Sequence, residues 1–351
     1  KKLYALQTFP SRKDAVRWRT QQRQALEAGT FVQPAHTPLS EYLRGWLSGP
    51  ATQALSERTL HDYRRLLTRY VLGTELAAAP LSQLSTTALE QFYGGLAQRP
   101  LSARTVRLVH SILHAALGRA VRSRLLAFNP ATGVTLPRPE PRRMHALDGA
   151  QVYQLLSHSA DTGNRLHALW HLLVNSGMRP SEALALKWTD LGTDRVVVRR
   201  VLVTGLKGGG WRLMEPKRRG TRRTITLPAS TMDALADHRA RQEIERTAAA
   251  DRYGDEGFVF AGRTGSPVDL KNLTVRHFNP LLAKAGLPKI RVYDLRHTHA
   301  ALMLAAGVPL KAVAERLGHA SATMTLGIYA HVLNGQHEDP VSRLEAYMAT
   351  G

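Results

Sequence analysis

Four stretches of the chain carry side chains whose types and spacing suit attack on a phosphate ester. NSGMRPSEALALKW, residues 175–188, places Arg179 at a helix entry with Glu182 three residues on, on the same helical face. EPKRRGTRRTITLP, residues 215–228, puts Lys217 at the head of a basic turn with five Lys or Arg in seven positions. VYDLRHTHAALMLAAGVP, residues 292–309, supplies Arg296 and, one turn later, His299. LGHASATMTLGIYAHV, residues 317–332, supplies His319 and Tyr329.

Each residue alone has an ordinary explanation. Arg179 and Glu182 could be a surface ion pair, Lys217 a solvated hairpin tip, and His319 a cation at a helix end where it complements the dipole. His297 and His299 could bond within their own helix, and a lone tyrosine is more often core than catalyst. Together the set reads differently. Arginine forks hold non-bridging phosphate oxygens and stabilise the charge that develops there. A tyrosine can be a covalent nucleophile if cations offset its ordinary pKa of about 10. A lysine can protonate a departing oxygen. No carboxylate cluster for a divalent cation and no HExxH pattern appears, so the motifs predict phosphoryl transfer with neither metal nor cofactor.

The totals favour a polyanionic partner. Lys and Arg number 48 against 27 Asp and Glu in 351 residues, a formal net charge of +21. Such a surplus binds phosphate backbones without regard to sequence. A membrane surface is the alternative, but the basic residues are spread along many segments rather than along one amphipathic helix. No apolar run approaches the roughly 20 residues that span a bilayer, and no secretion signal is visible. Cysteine is absent, which removes disulfides and thiol chemistry and fits a cytoplasmic protein. The length predicts two or three domains.

The elements that must position these residues follow from periodicity. KKLYALQTF alternates like a strand, and a helix follows, capped by Ser11 with Asp14 and stopped at Gly29. Residues 1–35 are read as part of a small N-terminal module whose Arg12, Lys13, Arg17, Arg19 and Arg23 face DNA or solvent. Helices are predicted at 39–47, 56–71, 85–98 and 102–124, with Ser56 and Ser102 as N-caps. In the last of these Val106, Val109, Leu113 and Leu117 form an apolar stripe, with Arg104 and Arg107 on other faces. These four make a helical domain over 36–128, and a proline-rich linker over 129–144 ends at Arg142 and Arg143. A second large domain spans 145–333, with helices at 149–158 and 163–176 and from Ser181, strands at RVVVRRVLV and RRTITLP, and helices at 228–248, 270–285, 295–306, 309–317 and 321–333. In the tail, 334–351, Asp339 and Pro340 start a further helix with Val341, Leu344 and Met348 on one face. The fold class is mainly α with a small antiparallel β-sheet.

The ordered motifs SGMRPSEALALKW, PKRRGTRRTITLP and YDLRHTHAALMLAAGVPLKAVAERLGHASATMTLGIYAHV resemble the tyrosine recombinase (phage integrase) family. The likeness is strongest over 145–333, while 38–125 resembles the family's helical core-binding domain and the opening residues resemble its arm-binding module. The resemblance implies that Tyr329 forms a 3′-phosphotyrosyl DNA intermediate and that Arg179 and Arg296 clamp the scissile phosphate. It further implies Lys217 as general acid, His319 as a hydrogen bond to the phosphate, and Glu182 as the residue that orients Arg179. Where the family most often has His, three residues before the second arginine, this chain has Tyr293. A phenol can donate a hydrogen bond but is a poor base near neutral pH.

Contacts to DNA are expected from Arg104, Arg107, Arg142, Arg143, Arg218, Arg219, Arg222, Arg223 and His299. The implied partners are double-stranded DNA, a homotetramer on paired sites formed from free monomers, and an accessory DNA-bending or excision factor. The implied setting is the nucleoid of a prokaryotic host, and the tail helix is expected to dock on a neighbouring protomer or on its own domain. Two rivals stay in view. One is a catalytically impaired or architectural DNA-binding protein of the same fold, favoured by Tyr293 alone. The other is a metal-dependent nuclease using His297, His299, His319 and His331.

Overall fold

Serine hydroxyls start the helices of the N-terminal half. Ser56, Ser85 and Ser102 each accept the backbone N–H three residues on, at 3.2, 3.1 and 3.2 Å, which satisfies one of the four orphan donors of a helix N-terminus. The computed structural model describes residues 8–27, 36–140, 145–205, 210–215 and 222–319, together with Ser321, Thr323, Thr325, Leu326, Glu345, Met348 and Ala349. It divides into two compact units, 1–142 and 143–351.

The first unit contains α1 (Arg12–Glu27), α2 (Leu39–Ser48), α3 (Glu57–Tyr70), a short α4 (Glu75–Ala78), α5 (Thr86–Ala97) and α6 (Ala103–Arg122). On α6 the stripe Val106, Val109, Leu113 and Leu117 is buried, as its 3.6-residue period requires, and it packs with Leu39, Leu43, Leu67 and Leu89. Arg104 and Arg107 stay exposed on the polar face. Ser11 caps α1, but Asp14 departs from the expected capping box. Its carboxylate accepts the Ser11 hydroxyl at 2.7 Å, while its own N–H donates to Ser11 Oγ.

The second unit is built around α8 (His167–Ser176), whose Leu169, Trp170, Leu172, Leu173 and Val174 are buried. Packed against α8 are α7 (Gly149–Asp161), α10 (Ala229–Ala249) and α13 (Asp294–Ala305). The remaining elements are α9 (Pro180–Ala183), α11 (Leu270–Asn272), α12 (Asn279–Lys284), α14 (Leu310–Leu317) and four short strands: β1 (Arg195–Val198), β2 (Val201–Thr204), β3 (Trp211–Met214) and β4 (Arg223–Thr226). β1 pairs antiparallel with β4, Val196 opposite Ile225, and β2 pairs antiparallel with β3, Leu202 opposite Leu213. The fold is mainly helical with a small antiparallel β component.

Three departures from the sequence reading have local causes. RVVVRRVLV is two strands rather than one, because Arg199 and Arg200 turn toward the buried carboxylate of Asp190, Arg200 at 2.9 Å. The helix predicted over 270–285 opens into a π turn at Leu273–Phe278. Pro280, just past that turn, has no N–H for the carbonyl four residues back, and its ring crowds that carbonyl, so the wider turn relieves both. The helix predicted from 163 begins at His167, because Asn164 folds back to accept the Leu166 N–H through its side chain and the His167 N–H through its carbonyl. Among the described residues no helix is long and apolar enough to cross a membrane.

Candidate active site

The site begins where α8 stops. Gly177 ends the helix in the left-handed region, φ 62°, a conformation that costs an L-residue about 1–2 kcal/mol. A Cβ there would also lie 2.5 Å from His299 Cδ2 and 2.8 Å from Leu317 Cδ2. Gly177→Ala is therefore expected to lower unfolding stability by about 2–4 kcal/mol, adding backbone strain to overpacking. Urea titration checks this, and a loss below about 0.5 kcal/mol would show that the close packing is not required.

Two residues later Arg179 occupies the N-cap of α9, with Pro180 at its first position, where a missing N–H costs nothing. Glu182 reaches back. Its Oε2 accepts the Arg179 backbone N–H at 2.9 Å and its Oε1 accepts Arg179 Nη1 at 2.7 Å. The same carboxylate takes Arg223 of β4, whose Nη2 donates to Oε2 at 2.8 Å. The Glu182 side chain is 0% exposed and that of Arg223 is 8% exposed. Burial pushes the Glu182 carboxyl up, but the hydrogen bonds and charges of Arg223 and Arg179 outweigh it and hold the group below its ordinary value.

Arg296, on α13, is 2% exposed. Its Nη1 donates to the carbonyl of Gly177 at 2.8 Å and its Nη2 to the carbonyl of Leu317 at 2.7 Å. These are carbonyls at the C-terminal ends of α8 and α14, the negative poles of two helices. Burial, then the charge of Arg179, brings the Arg296 guanidinium down to about 10, so it stays protonated at neutral pH. Gly318 ends α14 in the left-handed region, φ 69°, and hands the chain to His319. The His319 Nδ1 lies 2.7 Å from Thr325 Oγ1, and burial followed by Arg296 and Arg179 lowers its pKa to about 4.

Arg179, Glu182, Arg296 and His319 thus gather in one place. Tyr293 adjoins them at the N-cap of α13, three residues before Arg296: it is 39% exposed and its ring stands edge-on to His297 at 5.4 Å. Tyr329, Lys217, Arg142, Arg143, Arg218 and Arg219 lie outside the described residues, as does most of the predicted tail helix. Arg104, Arg107 and Arg222 are exposed, Arg222 beside Glu215 at 2.9 Å.

Two assignments need correction. Arg223 does not reach outward as a DNA contact, because its guanidinium is folded onto Glu182 and its Nε donates to the Arg316 carbonyl at 2.8 Å. Its neighbours in a basic turn conceal this, since the partner carboxylate is 41 residues away. His299 is also internal, 6% exposed. Its Nδ1 donates to the Val174 carbonyl at 2.7 Å and its Nε2 accepts Arg316 Nε at 3.1 Å. Both nitrogens are engaged, so His299 can neither contact DNA nor ligate a metal. Among the described residues no group of three His, Asp or Glu converges on a common point.

The buried His299 and the half-buried His171 and His319 carry a pH signature. His171, His299 and His319 are each lowered to about 4, chiefly by burial, against an ordinary value near 6.5. Between these values the unfolded chain binds more protons than the folded one, so stability rises with pH across this window. The melting temperature is expected to fall steadily from pH 6.5 to pH 4.5. Calorimetry that finds it flat over that interval contradicts the burial of these imidazoles.

Two guanidiniums, those of Arg179 and Arg223, pair with the single carboxylate of Glu182, and that of Arg296 lies within electrostatic reach of all three. That cationic surplus is held in place before any substrate arrives, and it suits an enzyme that handles a phosphodiester. The Phage integrase family profile matches residues 145–336, and the chain belongs to that family, the tyrosine-type site-specific recombinases. It is 28% identical to the tyrosine recombinase XerC-like protein of Caldanaerobacter subterraneus subsp. tengcongensis over 95% of this chain and 89% of that one. It is 28% identical to an integrase of Streptomyces ambofaciens over 86% of this chain and 78% of that one. The fold matches the Tn1549 transposon integrase in complex with a circular intermediate DNA, TM-score 0.74 at 21% identity over 90% of this chain and 99% of that one. It also matches a lambda integrase from a tetramer bound to a Holliday junction, TM-score 0.59 at 18% identity over 92% and 88% of the two chains.

Proposed function

We propose that this recombinase cuts and rejoins duplex DNA at specific sites through a 3′-phosphotyrosyl intermediate, integrating or excising a mobile element. The observation that carries the reading is the guanidinium surplus around Glu182, with Arg296 fixed by two carbonyls. The Tyr329 phenol gives up its proton to solvent, its oxygen attacks the scissile phosphorus, the P–O5′ bond breaks, and the Lys217 ammonium gives a proton to the leaving 5′-oxygen. Arg179 and Arg296 offset the charge that grows on the non-bridging oxygens. His319 is neutral and donates through Nε2, which requires Thr325 to donate to Nδ1, and their 2.7 Å contact allows this. Tyr293 stands at the phosphate's side as a donor. The phosphodiester is exchanged rather than hydrolysed, so rejoining is the reverse step and needs no nucleotide.

The domain reading belongs to the same proposal. Residues 36–128 would bind core DNA together with 145–333, the 129–144 linker would join them, and 1–35 would belong to an arm-binding module. Exposed Arg104, Arg107 and Arg222, with Arg142, Arg143, Arg218 and Arg219, would neutralise phosphates. A tetramer on paired sites is supported by the tetramer that lambda integrase forms on a Holliday junction, and the 334–351 tail would be exchanged between its protomers. An accessory bending factor and a nucleoid location in a prokaryotic cytoplasm complete the picture.

The test uses duplexes selected for binding from DNA flanking the chain's own gene and nicked beside the cleavage position. Incubated in EDTA, the protein should form a denaturant-stable adduct whose linkage maps to Tyr329. Tight binding without an adduct, or cleavage that EDTA abolishes, overturns the reading.

A further inference from the structure

Arg316, in the last turn of α14, would ordinarily be read as a cation complementing the helix dipole. Its guanidinium turns inward instead. Nη2 donates to the carbonyls of Asn175 and Thr226, both at 2.8 Å, and Nε donates to His299 Nε2 at 3.1 Å. Asn175 sits near the end of α8, Thr226 closes β4 and His299 lies on α13. One planar fork therefore ties four segments together. Those segments carry Arg179, just past α8; Arg223, on β4; Arg296, on α13; and His319, just past α14.

The backbone at Arg316 does the converse. Its own carbonyl accepts Arg223 Nε at 2.8 Å, and the next carbonyl, of Leu317, accepts Arg296 Nη2 at 2.7 Å. Any shift of this turn moves the acceptors that aim both arginines. His299 completes the latch. Because the Val174 carbonyl can only accept, the proton sits on Nδ1, and the bare Nε2 is left to receive Arg316. Loss of the fork removes the donor from the buried His299 Nε2 and the half-buried Asn175 carbonyl, and cuts the tie to the exposed Thr226 carbonyl.

We propose that Arg316 is a positioning residue for strand transfer, setting the spacing of Arg179, Arg223, Arg296 and His319 and acting through them. The proposal rests on the recombinase reading above. A displacement of about 1 Å in such a constellation costs on the order of 100-fold in rate. The loss should fall on the charge of the transition state, so it should depend on the charge of the phosphate.

The experiment measures single-turnover adduct formation on two nicked duplexes, one with a normal scissile phosphate and one with a neutral methylphosphonate there. Arg316→Met should react about 100-fold more slowly than wild type on phosphate, with DNA affinity unchanged. On methylphosphonate, where less charge must be offset, the gap should narrow to less than about 10-fold. Should Arg316→Met fail to fold, Arg316→Lys serves, because its ammonium satisfies a carbonyl but cannot span all three acceptors. It should show the same narrowing. An equal loss on both duplexes, or a variant as fast as wild type, overturns the proposal. A wild type that makes no adduct on either duplex sinks the recombinase reading first and this inference with it.

Discussion

Tyr329→Phe is expected to bind its site as tightly as wild type and to form no covalent adduct at all. The substitution deletes one oxygen and leaves the ring, so packing and DNA affinity have little reason to change. On the proposed mechanism the reaction loses its nucleophile outright. A phenol with an ordinary pKa of about 10 is a weak nucleophile at neutral pH. In the proposed mechanism, the positive potential of Arg179, Arg223 and Arg296 would favour its ionised form. Gel shift and adduct formation, measured side by side in EDTA, separate the two properties. An adduct retained in Tyr329→Phe would place the nucleophile elsewhere.

Glu182→Ala should damage both stability and catalysis. The carboxylate is 0% exposed and bonds Arg179 twice and Arg223 through both of its oxygens. Removing one partner of a buried ion pair costs about 3–5 kcal/mol, because the remaining charge has no offset. Here two guanidiniums and a backbone N–H lose their acceptor together. Mutual repulsion of Arg179, Arg223 and Arg296 then spreads the groups that should meet the phosphate. Glu182→Gln is the more informative variant. It keeps the size and one accepting oxygen but turns an N–H toward arginines that only donate, so it should fold with a smaller loss while adduct formation still drops at least about 100-fold. Denaturant unfolding and single-turnover rates give the two numbers, and a Glu182→Gln enzyme as fast as wild type would deny the carboxylate any orienting role.

Much of this site could be read from the chain because local grammar fixes it. Gly177 ends one helix, Pro180 starts the next, and Arg179 has to lie between them. Gly318 likewise delivers His319 from the end of α14. Residues whose roles depend on distant partners were hidden. Arg223 looked like one more cation in a basic turn, since nothing nearby announces a buried carboxylate 41 residues earlier in sequence. His299 looked accessible on a helix, and only the packing of α13 against α8 closes both of its nitrogens. The same limit split RVVVRRVLV, where β-propensity runs on but a buried Asp190 captures the two arginines at its centre.

Among the described residues Arg296 is the most enclosed cation of the site, and its two acceptors are main-chain carbonyls, of Gly177 and Leu317. Every amino acid brings a carbonyl, so no side-chain replacement at either position deletes the anchor; it can only displace it. The aim of this guanidinium is therefore buffered against genetic drift around it, and its vulnerability is concentrated in the two helix ends. A lineage can rewrite most neighbouring side chains, and with them the DNA it recognises, while the chemistry keeps its bearing.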